Sequence, residues 1–137
     1  KSATCNAISV VEGEGVEICV DVLDEVAERE GVGNVRLLKV DCEGYEVFVL
    51  NGAKKLLDRT DVVIVEVIDD NLKKFGKSAK DVIAILESTG FKLFMFDCIK
   101  GEFVNFELEQ YIDKGDSYLY DVFATKEDEC LYGLKWT

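Results

Sequence analysis

Asp41, Glu43 and Glu66 are the side chains best placed to do chemistry in this chain. Asp41 closes the apolar run Leu37-Leu38-Lys39-Val40, and Cys42-Glu43-Gly44-Tyr45-Glu46 follows at once. Glu66 sits near the end of a second run, Val62-Val63-Ile64-Val65-Glu66-Val67. Both runs read as buried strands, where a carboxylate without a partner is costly. Residues two apart on a strand share a face, so Asp41 and Glu43 are expected to point into one crevice. Glu66 joins them if the two runs are neighbours, at the strand ends where α/β sheets bind ligands. Clustered carboxylates can bind a ligand's hydroxyl or amine groups, or hold Mg²⁺ or Ca²⁺ through oxygen. One of them, its pKa raised by the others, can also act as a base. Lys39 shares the face of Asp41 and can neutralise it. Glu43 and Glu46 have a plainer reading, as acids in the first turn of a helix. Tyr45 is expected at the rim, packing on that helix.

Composition narrows the choices. The 137 residues suggest one domain spanning residues 1–137, and 48% hydrophobic content supports a real core. A net charge of −12 disfavours nucleic acid and anionic membranes as partners. No histidine is present, which removes the commonest general base and any His-ligated zinc. The five cysteines show no C-x-x-C pair; Cys19 and Cys42 fall in strand patterns and read as buried thiols of a reducing, cytoplasmic protein. No apolar run approaches the roughly 20 residues that span a bilayer, and no signal-peptide pattern opens the chain. Asp69-Asp70-Asn71 lacks EF-hand spacing, so no metal ligands are assigned. The first residue is Lys1 and not Met, so a piece of a longer chain is expected.

Around these acids the pattern alternates. Residues 5–11 and 16–20 read as a hairpin about Glu12-Gly13-Glu14-Gly15. Asp21 is expected to cap a helix from Val22 that Gly31 and Gly33 end. Residues 35–40 form a strand covered on both faces, then residues 44–58 a helix with Val47, Leu50, Ala53, Lys54 and Leu57 on one side. Gly52 in its middle suggests close packing. A strand over 62–68, a loop holding a short helix, a helix headed by Ser78, and strands over 91–96 and 103–106 follow. An irregular stretch over 107–116 leads to a last strand over 118–125 and an apolar tail, 130–137. Alternation from 21 to 97 implies a mostly parallel sheet, with the closing strands adding antiparallel edges.

At these residues the chain resembles the FkbM-type methyltransferases, a branch of the S-adenosylmethionine-dependent, Rossmann-like methyltransferases. The matching pieces are residues 20–26, Leu37-Leu38-Lys39-Val40-Asp41-Cys42-Glu43-Gly44-Tyr45-Glu46, Val49-Leu50-Asn51-Gly52-Ala53, Leu56-Leu57 and Val63-Ile64-Val65-Glu66-Val67, in the family's order. Asp21-Val22 departs from the threonines usual before the Leu-Asp pair. The resemblance covers roughly residues 5–125. It implies O-methyl transfer to a small-molecule or sugar hydroxyl. It assigns Asp41, Glu43 and Glu66 to catalysis, and Asp41, Cys42 and Glu43 to the donor. Nothing matches the family's glycine-rich donor loop, so the resemblance implies a sheet lacking its first three strands, with most of the donor site supplied from outside this chain. The alternative is a non-catalytic module that dimerises through the open sheet edge or the apolar tail.

Overall fold

The computed structural model describes residues 19–108 and 119–127. The expected hairpin lies almost wholly outside them; only Cys19 and Val20 are described, both exposed and outside any strand. The apolar tail and most of the irregular stretch also lie outside.

The core is a five-stranded mixed α/β sheet in the order β1-β2-β5-β3-β4. The strands are β1 (Val35–Val40), β2 (Thr60–Ile68), β3 (Lys92–Asp97), β4 (Glu102–Asn105) and β5 (Leu119–Thr125). The helices are α1 (Leu23–Arg29), α2 (Glu46–Asn51), α3 (Lys54–Asp58), α4 (Asp69–Lys73) and α5 (Ala79–Ser88). Among the described strands only β1 and β2 pair in parallel, whereas β5 pairs antiparallel with both β2 and β3, and β4 antiparallel with β3. The expectation of a mostly parallel sheet is therefore corrected. β1, β2 and β3 do run the same way, as alternating strands and helices require. However, β5 inserts between β2 and β3 instead of adding an edge. Val122 and Ala124, both fully buried, suit it to the interior.

Helices α2 and α5 pack on one face of the sheet, over Val63, Val65, Val67, Leu93, Val122 and Ala124. Strand β1 was expected to be covered on both faces. It lies instead at the edge of the described sheet, with Arg36, Leu37 and Lys39 exposed. The opposite face carries Leu37, Ile64, Phe94 and Phe123, and Val62 and Thr125 on that face are buried as well.

Two helix expectations also change. The N-cap of α1 is Val22 without a side-chain bond, and Asp21 pairs with Arg29 at 2.9 Å. The expected helix over 44–58 is two, broken at Gly52-Ala53. Asp24 explains the break. Its carboxylate accepts from the Lys55 and Leu56 amides at 3.0 and 2.9 Å and so caps α3 from another helix. Its own amide donates to Gly52 O at 2.8 Å. Lys54, expected on the buried side, is exposed, and Leu56 takes that place. Ser78 and Asp81 form a capping box at α5, and Gly90 at φ +84° ends the following turn.

Candidate functional site

The parallel register places Val40 of β1 beside Val65 of β2, so Asp41 leaves β1 level with Glu66. On the other side of β2, Glu66 pairs with Asp121 of β5. A row of acids thus crosses three strands on one face of the sheet. Carboxylate oxygens of Asp41, Glu43 and Glu66 lie within 4.8 Å of one another. The three expected residues do converge at one mouth. Asp121 is the acid that local reading missed, because only the long-range placement of β5 brings it there.

Glu43 arrives by a route that strand alternation did not predict. The backbone turns at Cys42, with Glu43 at φ +52° and Gly44 at φ +108°, so neither residue is helical and α2 starts only at Glu46. Beneath the turn lies Glu46, 2% exposed. Its Oε1 accepts from the amides of Cys42 at 2.9 Å and Gly44 at 3.1 Å. Glu46 does stand in the first turn of α2, as its plainer reading had it, but it is buried there as a latch for the rim and is not a member of the cluster. From α4, Asn71 Nδ2 donates to Glu43 Oε2 at 2.8 Å. The neighbouring acids turn elsewhere: Asp69 accepts from the Ala79 amide and pairs with Lys73, and Asp70 pairs with Lys73 as well. Tyr45 stacks on Phe48 at 4.5 Å and meets Phe75 edge-on, which is the helix-packing reading.

The cysteines are corrected. Cys19 is exposed and Cys42 is half-buried against the core. Burial raises the Cys42 thiol pKa, and its amide is already held by Glu46. Its side chain is not among the clustered ligand atoms.

The electrostatics divide the acids into two kinds. Lys39 Nζ sits 2.7 Å from Asp41 Oδ2, and this hydrogen bond holds the Asp41 pKa below the ordinary value. Glu66 is pushed up to about 7, first by burial and then by its hydrogen bond to Asp41 and the nearby charges of Asp41, Glu43 and Asp121. The pair therefore holds a proton between them near neutrality. Below pH 4.5 Glu66 is protonated in both folded and unfolded states; above about 7 it is ionised in both, and ionisation of the folded state is the unfavourable step. Stability from Glu66 accordingly falls as pH rises through that window. The whole shift corresponds to about 3 kcal/mol; solvent screening at an open rim leaves roughly 1 kcal/mol. Glu66→Gln is expected to gain that amount on the wild type by about pH 8 and nothing at pH 4.5. Urea midpoints across the range measure it, and parallel curves for the two proteins would refute the assignment.

The comparison with known families now bears on this rim. Residues 3–93 match the methyltransferase FkbM domain. The chain belongs to this family. The match contains Asp24, Asp41, Glu43, Gly44, Glu46 and Glu66, and ends within β3, so Asp121 stands beyond it. No curated protein and no solved structure matches the chain. Family membership supports methyltransferase chemistry and leaves the acceptor open.

Proposed function

We propose that this chain is part of a Rossmann-like, S-adenosylmethionine-dependent O-methyltransferase acting on a small-molecule or sugar hydroxyl. The observation that carries the reading is the convergence of Asp41, Glu43 and Glu66 where two adjacent parallel strands end, within the segment that matches the family. The residues fit a cationic cofactor in their charge: three carboxylates face one mouth, and Lys39 is ion-paired to Asp41. When bound, S-adenosylmethionine supplies an electrophilic methyl group on a positively charged sulfur. The chain's own part is to orient and to take a proton. Asp41, kept ionised by Lys39, and Glu43, held by Asn71, favour the cation. Glu66, titrating near 7, accepts the proton of an acceptor hydroxyl at a side-chain oxygen, which suits general-base work at neutral pH. In-line placement of the acceptor supplies much of the rest.

The described residues include no glycine-rich donor loop, so the chain alone is expected to bind the donor weakly. Joined to a donor-loop segment from a family member, it should bind S-adenosylmethionine by calorimetry, about tenfold more weakly with Asp41→Asn. Silence of the joined protein at millimolar donor would remove the reading.

A further inference from the structure

Three carboxylates within 4.8 Å of one another repel, so each needs a reason to stay. Asp41 has Lys39 Nζ at 2.7 Å. Glu66 stands on β2, paired on both sides. Glu43 has neither a strand beneath it nor, among the described residues, an ion pair. It is also the one described non-glycine residue with positive φ, at +52°. Such a backbone costs free energy and persists only where its surroundings enforce it.

What holds Glu43 comes from α4. Asn71 Nδ2 donates to Glu43 Oε2 at 2.8 Å, and Asn71 Oδ1 accepts from Lys74 Nζ at 2.6 Å. The lysine thereby decides which end of the amide meets the acid. With Oδ1 taken, the NH₂ group faces Glu43, and its bond is strengthened by polarisation along the chain of donors. The helix is itself kept against the turn. Its Asn71 carbonyl lies close over Gly44, and Asp69 accepts from the Ala79 amide of α5 at 2.9 Å.

We infer that Asn71, oriented by Lys74, is a positioning residue of the mouth. It keeps Glu43 turned toward Asp41 and Glu66, against their repulsion, where a cationic ligand meets all three. What that ligand is rests on the methyltransferase reading; the clamp itself does not.

The test is carboxyl NMR of Glu66 across pH in the full 137-residue chain, with no donor present. Glu66 is the reporter because Asp41 and Lys39 at the end of β1, Glu43 from the turn and Asp121 from β5 all act on it. Asn71→Ala lets Glu43 swing into water. The Glu66 midpoint should then fall from about 7 partway toward 4.5, with burial, the largest cause, still holding it up. Lys74→Met is the sharper variant, at an exposed position. Loss of a nearby cation alone would raise the midpoint, whereas loss of the clamp lowers it. A fall is expected, smaller than with Asn71→Ala, and Lys74→Arg, which keeps a donor for Oδ1, should restore wild-type behaviour. On an Asn71→Ala background, Lys74→Met should lower the midpoint no further. An unmoved midpoint in Asn71→Ala, or one that stays or rises in Lys74→Met, overturns the proposal. Neither readout involves the donor, so silence toward S-adenosylmethionine would remove the methyltransferase reading and leave the clamp standing.

Discussion

Gly44→Ala is expected to unfold the protein or lower its stability by about 3–6 kcal/mol, the sum of two separate costs. The first is conformational. At φ +108° an L side chain is strained, by roughly 1–3 kcal/mol. The second is steric, and it is the more severe. A Cβ on Gly44 would lie 2.4 Å from the carbonyl oxygen of Asn71 and 2.6 Å from its carbon. Both are backbone atoms, so no rotamer change relieves the overlap. The turn and α4 must separate, and that also breaks the Asn71–Glu43 hydrogen bond at the rim. Against a total stability of about 5–15 kcal/mol this is a large fraction. Gly52→Ala is the control. Its φ is −82°, and a Cβ there would meet its nearest neighbours at 3.5 Å, an ordinary contact. That change is expected to shift stability by less than about 1 kcal/mol. Urea denaturation of both variants measures the contrast, and equal effects would show that the approach of Asn71 to Gly44 is not what the fold requires.

That contrast also shows where local sequence is a good guide and where it fails. Helix and strand periods were legible because each reports on its own few neighbours, and so were the helix headed by Ser78 and the short helix after Ile68. Asp41 and Glu66 could be brought together from sequence because β1 and β2 are consecutive parallel strands, and a right-handed crossover puts such strands side by side. Gly52 was misread because a mid-helix glycine looks the same whether it packs closely or marks a break. Here the break follows from Asp24, 31 residues from Lys55, whose amide it accepts. The same distance problem hid the position of β5. Its residues announce a strand, but the choice between an edge and the slot beside β2 depends on which strand lacks a partner. Asp121 joined the acidic row only through that choice. Glu46 was placed in the first turn of its helix, but its burial was not legible because a charged residue at the start of a helix rarely turns inward.

The inward turn of Glu46 leads to the second large effect. Glu46→Ala is expected to cost about 3–5 kcal/mol, because two amides lose their acceptor inside the protein. Cys42 N and Gly44 N both donate to Oε1 and, among the described residues, have no other partner. Each unsatisfied buried donor costs about 1–3 kcal/mol, and the lost methylenes leave a void that adds to it. The opposite oxygen, Oε2, is buried without a hydrogen-bond partner. The carboxylate is therefore kept for what Oε1 does. Glu46→Gln tests this directly, since its amide oxygen can take the place of Oε1 while the NH₂ group occupies the site of Oε2. It should lose no more than about half as much as alanine. Amide exchange locates the damage: Cys42 and Gly44 should lose protection in the alanine variant and keep most of it in the glutamine variant, while β2 exchanges as before. The consequence for the site follows from the chain path. Asp41 and Glu43 flank the latched turn, so releasing it frees two of the three clustered carboxylates from their approach to Glu66. The raised pKa of Glu66 should then relax toward 4.5 in any alanine variant that remains folded. If glutamine proves as damaging as alanine, acceptance at Oε1 is not what holds the turn, and the geometry of the rim must rest on the packing of Gly44 against Asn71 alone.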